Sequence, residues 1–292
     1  MTEEQTIEEM TMQLIAEECR VLTDDVMEYP PVALSLGEKT IQTANGDLKV
    51  PIGIGTFGNF SFVQAPPKTK KTFFISLLAS VFLSGKNNFG GNIKGHRDGR
   101  CLMHFDTEQG LWHAKRVFKR VEDMAGIKDL GCYQTYALRT VNYKDRLKFI
   151  EYTLKKNEGN NGLVVIDGIA DLVSDVNNLE ESNLCVQKIM ELSARFDCHI
   201  ITVIHSNFGT DKATGHLGSF LYKKCETAIS LEANTVNKEW VTASCKISRG
   251  YAFDTFSFSI NKFGLPFVVG DIYDPLENFM QKQKTHKELP LY

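Results

Sequence analysis

The chain has 292 residues, 42% hydrophobic and 24% charged, with a formal net charge of −3. Such a composition builds one large α/β domain with an extension, or two small domains, and supplies enough apolar mass for a sizeable core. It excludes a protein that coats DNA by bulk positive charge, so any nucleic-acid contact has to come from a local patch or an assembled ring.

The cysteines Cys19, Cys101, Cys132, Cys185, Cys198, Cys225 and Cys245 are scattered, odd in number and without a CxxC pair. They read as reduced thiols of an intracellular protein, with no metal site. The N-terminal MTEEQTIEEMTM lacks the basic stretch and apolar core of a signal peptide. The longest apolar run, 72–84, is too short for a bilayer, which needs about 20 residues. The chain is therefore expected to be cytoplasmic, with no membrane partner.

Residues 3–19 place Ile7, Met10, Leu14 and Ile15 at helical spacing and predict an amphipathic helix. Residues 20–58 are rich in Gly, Pro and Thr, with an Asn45-Gly46 hairpin signal between short apolar runs, and read as an arm or lid. From Asn59 the pattern alternates. Strand FSFVQA precedes a helix after Lys71; CLMHFD (101–106) a helix at 110–125; CYQTYAL (132–138) a helix at 143–156. GLVVID (162–167) precedes a helix at 180–196, and HIITVIH (199–205) a polar loop and a short helix near 217–224. Extended segments follow at 227–233, 240–248 and 254–260, then a polar tail that reads as loosely ordered. The expected division is an N-terminal helix and arm (1–57), a core (58–272) and a tail (273–292).

Strands such as LVVID and IITVI are apolar throughout, as strands buried on both faces of a mostly parallel sheet are, and the β-rich end predicts added antiparallel strands. In open α/β sheets, ligands sit beyond the carboxyl ends of the strands. Four reactive clusters fall at such ends: Lys68 to Thr72, Asp106 to Glu108, Asp167, and His205 to Asn207.

The first resembles a phosphate loop, G-x-x-x-x-G-K-[ST], whose N–H groups, Lys and hydroxyl hold phosphates and Mg²⁺. Aligned on Lys71-Thr72, Ala65 and Lys70 replace the two glycines. The run Ala65, Pro66, Pro67, Lys68, Thr69, Lys70, Lys71, Thr72 and Phe73 is the candidate nucleotide contact; the competing reading is a basic loop capping a core helix. Asp167 is placed to hold the metal with Thr72. Glu108 is a candidate for orienting or deprotonating a water, with Asp106 as competitor and Thr107 as the helix cap. His205 suits a sensor of the terminal phosphate or a satisfied structural histidine. Lys246 and Arg249, in CKISRG, suit either a cation supplied to a neighbouring subunit or an ordinary strand end.

Together these residues resemble the RecA-like P-loop ATPases, and among them the RepA-type hexameric replicative helicases, with DnaB-type helicases and KaiC-like proteins further off. The resemblance spans residues 58–270. It implies a RecA-like core, ATP and Mg²⁺ as cofactors, a homo-oligomeric ring such as a hexamer, and single-stranded DNA as partner. It assigns Lys71 and Thr72 to phosphate and Mg²⁺, Asp167 to the metal, Glu108 to water, His205 to sensing, and Arg249, with Lys246, to a finger acting in trans. The expected function is an ATP-hydrolysing, helicase-like motor or switch in replication, recombination or mobile-element maintenance. Because both loop glycines are replaced, an oligomeric scaffold with little or no catalysis is the alternative. A small-molecule kinase on the same core is the third. The loop after Asp167 is acidic, which argues against strong phosphate contact there. Of the basic segments, 86–100 reads as a DNA-facing insertion, and Lys115, Arg116, Lys119 and Arg120 as a solvated helix face.

Overall fold

The computed structural model describes residues 3–22, 29–44, 46–127, 131–207 and 212–269. Asn45, most of the 206–211 loop with Gly209, and the tail lie outside them. Two units are distinguished, Met1–Pro30 and Pro31–Tyr292. The first holds helix α1 (Glu3–Cys19), on which Ile7, Met10, Leu14 and Ile15 are exposed.

In the second unit the elements run β1 (Val32–Thr43), β2 (Gly46–Thr56), β3 (Phe60–Ala65), α2 (Lys71–Ser84), β4 (Ile93–Gly95), β5 (Cys101–Asp106) and α3 (Leu111–Ala125). They continue through β6 (Tyr133–Ala137), α4 (Tyr143–Lys156), β7 (Asn161–Asp167), α5 (Leu179–Arg195), β8 (His199–His205) and α6 (Gly215–Lys224). Strands β9 (Thr227–Ala233), β10 (Val241–Ser248), β11 (Phe256–Ile260) and β12 (Pro266–Val269) close the described chain. Among the described residues no helix is long and apolar enough to cross a membrane.

Nine strands form one sheet in the order β12-β11-β10-β9-β3-β8-β7-β5-β6. From β9 to β6 every pairing is parallel, and β9 to β12 pair antiparallel. Helices cover both faces, which explains the apolar strands. Along β7, Leu163 and Val165 pack into the layer with α2 and α3, while Val164 and Ile166 pack into the layer with α4, α5 and α6. Fully burying one such side chain contributes about 1.5–3 kcal/mol.

The helices start where sequence chemistry places them. Asn142 accepts a hydrogen bond from Lys144 N, and Asn178 accepts one from Glu181 N, each satisfying a free first-turn donor. Glu180 and Glu181 add favourable charge at the N-terminus of α5.

The hairpin signal at Asn45-Gly46 marks a real turn, since Thr43 faces Gly46 between β1 and β2. These strands and β4 make a second, three-stranded sheet against α2. Segment 86–100 is not an open insertion. Ile93 is fully buried, Lys94 pairs with Glu38, and Arg100 pairs with Asp197 and stacks over Phe57. The sequence pattern missed β4 because three residues carry no period.

His104, in β5, is fully buried with Nδ1 3.1 Å from the Tyr133 hydroxyl and Nε2 without a partner. Burial pushes its pKa down to about 3. The folded chain thus holds it neutral, whereas an unfolded chain protonates it near pH 6.5. Above that pH the group contributes no slope. Below it the unfolded state binds the extra proton, so stability falls by up to about 1.4 kcal/mol per pH unit until pH approaches 3. Denaturant melts at pH 7 and 5.5 are expected to show this loss, and His104→Gln is expected to remove one proton's worth of it. An unchanged slope in the variant would refute the assignment.

Candidate functional site

The four reactive clusters sit at the carboxyl ends of four neighbouring strands, β3, β8, β7 and β5. In the chain these strands are separated by helices. The sheet brings them side by side, with Ala65 paired to His205 and Asp106 paired to Asp167.

Lys71 opens α2 and is buried. Its Nζ donates to Pro66 O at 3.2 Å and lies 2.9 Å from His205 Nδ1. A lysine donates, so Nδ1 accepts, which puts the ring proton on Nε2, 3.7 Å from Glu108 Oε1. Burial lowers the Lys71 pKa, while Glu108 and Asp167 oppose the shift. Burial and the Lys71 charge lower that of His205. The histidine is thus a neutral bridge between the phosphate-loop lysine and the candidate base.

Asp167 is buried, and its carboxyl accepts from the Thr72 hydroxyl. Its Oδ2 has no partner at all. Burial, then the charges of Asp106 and Glu108, push its pKa up to about 7. A buried carboxylate with a bare oxygen, crowded by other carboxylates and facing a hydroxyl, is a donor set that a cation relieves. Among the described residues no group of three or more His, Cys, Asp or Glu could form a metal cage. That fits Mg²⁺, which is commonly held by one or two carboxylates together with substrate phosphates.

Asp106 is not the free base that sequence alone left in contention. Its Oδ1 accepts from Glu108 N at 3.1 Å and Gln109 N at 2.8 Å, and its Oδ2 accepts from Gln109 Nε2 at 2.9 Å. It folds the turn that presents Glu108. Nor does Thr107 cap α3: its hydroxyl lies 2.8 Å from Gly168 O, 3.0 Å from Asp167 O and 2.9 Å from Asp171 Oδ2. The N-cap of α3 is Gly110. Thr107 instead ties the ends of β5 and β7 together. Gly168, which a turn alone would explain, is needed for this contact: at φ +114 a Cβ would collide with Thr107 Oγ1 and the Glu108 side chain. Glu108 itself is half-buried, and burial, Asp171 and Asp106 raise its pKa against the opposing charge of Lys71.

The loop between β3 and α2 keeps the shape of a phosphate cradle without its glycines. Lys68 and Lys70 have φ of 66 and 58, the left-handed region that glycine enters freely. Turns of this kind gather N–H groups into an anion-binding concavity. Each non-glycine residue there costs about 1–2 kcal/mol. Pro66 and Pro67 contribute no N–H, so donors come from Lys68 onward. The Lys70 side chain turns away, donating to Glu239 O at 2.8 Å in the segment between β9 and β10. Lys70→Gly is therefore expected to fold at least as stably, because relieved backbone strain offsets the lost bond. Its ATP affinity is expected to stay within about fivefold, the worth of one hydrogen bond. Calorimetric titration showing a tenfold or greater gain would mean that the Lys70 side chain obstructs the site.

Arg249 is not brought to this cluster within the chain. It follows Ser248, which pairs with Thr227 beside Ser61, at the opening of β3, whereas the loop leaves from Ala65 at its other end. Its Nε donates to Cys225 O at 3.1 Å and its Nη2 to Lys224 O at 3.0 Å. Lys246 pairs with Glu232 at 3.1 Å. Sequence reading also passed over Ser206, whose hydroxyl is buried without a partner next to the loop, its N–H bonded to Ala65 O. Adjacency to His205 was the available signal.

A parallel sheet with a phosphate-type loop after β3, covered on both faces and extended by antiparallel strands, defines a RecA-like P-loop ATPase fold. The chain belongs to the AAA domain family, whose family model matches residues 52–211. Among solved structures it is similar to a helicase ATPase domain, with a TM-score of 0.55, 15% identity, and coverage of 74% of this chain and 87% of that one. It is also similar to the RadB recombinase, with a TM-score of 0.51, 16% identity, and coverage of 74% and 94%. No curated protein matches by sequence.

Proposed function

We infer that the chain binds Mg-ATP and hydrolyses it as a RecA-like motor or switch on single-stranded DNA, working as a homo-oligomeric ring of the RepA type. The observation that supports this most is the meeting of Lys71, Thr72, Glu108, Asp167 and His205 at four adjacent strand ends, with Asp167 Oδ2 bare. Helicase and recombinase folds among the similar structures agree with it.

In this reading the loop N–H groups from Lys68 to Thr72 hold the phosphates, and Lys71 leaves Pro66 O and His205 to neutralise them. Thr72 and Asp167 would hold Mg²⁺, which supplies charge neutralisation at the phosphates. Glu108 orients the attacking water and takes its proton, a role its raised pKa suits. His205, released by Lys71, turns its state toward Glu108 and the loop that follows β8. Arg249 serves the site of a neighbouring copy.

A second reading, an oligomeric scaffold without catalysis, is favoured by one observation: Lys71 is satisfied by loop carbonyls and His205. Steady-state ATP turnover, with and without single-stranded DNA and beside the Glu108→Gln chain, separates the two. DNA-stimulated turnover that the variant loses supports the motor. Background turnover in an assembled chain that binds ATP supports the scaffold, and no ATP affinity at millimolar Mg-ATP sinks the first reading.

A further inference from the structure

Helix α3 carries Trp112, Arg116 and Arg120 at i, i+4 and i+8, one ridge of the helix surface. The Arg116 guanidinium lies 4.9 Å over the Trp112 ring. Arg120 lies 3.9 Å over Phe73 and donates to Ser76 Oγ at 3.3 Å. The expectation of a merely solvated face holds for Lys119, which pairs with Glu122 and Asp123. It fails for the two arginines. Both are stacked on aromatic rings, Arg120 is half-buried, and among the described residues neither pairs with a carboxylate.

Two guanidinium groups one turn apart repel each other. Burial and the Arg116 charge together push the Arg120 pKa down to about 10. Nothing on the helix relieves this, and a shared phosphate would, by charge-assisted bonds to both forks. At the head of the ridge Trp112 is 63% exposed. An open aromatic ring beside cations is the combination that holds single strands, with bases stacking and the backbone neutralised. Other surfaces are less suited. The segment after β7 carries Asp171, Asp175, Glu180 and Glu181, which repel a phosphodiester. In segment 86–100, Lys94 and Arg100 already have acidic partners.

We propose that the Trp112–Arg116–Arg120 ridge of α3 holds single-stranded nucleic acid, a base on Trp112 and backbone phosphates on the two guanidinium groups. The proposal deepens the single-strand reading above and rests on it. It also gives strand binding a route to the nucleotide, because Arg120 stacks on Phe73, the residue after Thr72.

The test is titration of the full chain with labelled oligothymidylate across a salt series. Trp112→Ala is expected to weaken binding about 5- to 100-fold. Arg116→Gln is expected to weaken it too and to reduce the slope of log affinity against log salt by about 0.7. ATP affinity and oligomeric state should stay as in the native chain. The chain has two tryptophans, so in Trp240→Phe the remaining emission is that of Trp112, and oligothymidylate should quench it. If the native chain binds the strand and both variants bind it equally well, the ridge proposal fails alone. If the folded variants lose assembly or ATP affinity instead, the ridge is a contact between copies or with nucleotide, and the proposal is overturned. If the native chain binds no strand, the single-strand reading itself fails.

Discussion

Glu108→Gln is expected to bind ATP as the native chain does and to turn it over about 10²–10⁴ times more slowly. The substitution keeps size and shape and removes the ability to accept a proton. It leaves the turn intact, because Asp106 holds that turn through the backbone N–H groups of Glu108 and Gln109 rather than through the Glu108 side chain. Burial and the neighbouring Asp171 and Asp106 raise the carboxylate's proton affinity, so the native rate should fall on acidification at a higher pH than for an ordinary glutamate. The glutamine chain should lack that limb. Binding by calorimetry and turnover by phosphate release check both parts; a variant that retains half of the native rate would remove Glu108 from the chemistry.

Arg249→Ala is expected to lower turnover by about 10³-fold or more while ATP binding persists, if the guanidinium stabilises the transferring phosphate of a neighbouring copy. Within one chain Arg249 lies at the opening of β3, about 13 Å along the strand from Ala65, which leaves its own site out of easy reach. Its two bonds to Lys224 O and Cys225 O use two of five guanidinium donors. Those bonds brace the end of α6, so a melting curve must show that the variant folds. Mixing gives the decisive measurement. Glu108→Gln and Arg249→Ala chains are each inactive alone, yet random co-assembly leaves about a quarter of the interfaces with both native residues. Turnover recovering toward that fraction supports action in trans. No recovery in mixed assemblies would make Arg249 a structural strand end.

The amino-acid pattern determined much of this molecule. Apolar runs without alternation fixed β3, β5, β7 and β8 as strands covered on both faces, and α4 and β8 fall on the residues the periodicity marked. Local chemistry sufficed there, because burial of a strand face or a helix stripe is written in neighbouring residues. The same holds for Lys71, Thr72, Glu108, Asp167 and His205, each legible as a polar residue ending an apolar strand or opening the helix after one.

What the sequence left open needed distances between residues far apart in the chain. Asp106 and Glu108 are equal candidates on paper, and only the hydrogen bonds of Asp106 to its own turn separate them. Lys70 stands where a glycine is expected; the tertiary structure shows that it adopts the glycine's left-handed backbone and sends its side chain to Glu239. Thr107 and Gly168 matter through a contact between two strand ends, and Arg116 and Arg120 through rings they stack on. Strand adjacency, in the order β3-β8-β7-β5, is decided by how the crossovers pack, a long-range balance that no local window of residues contains.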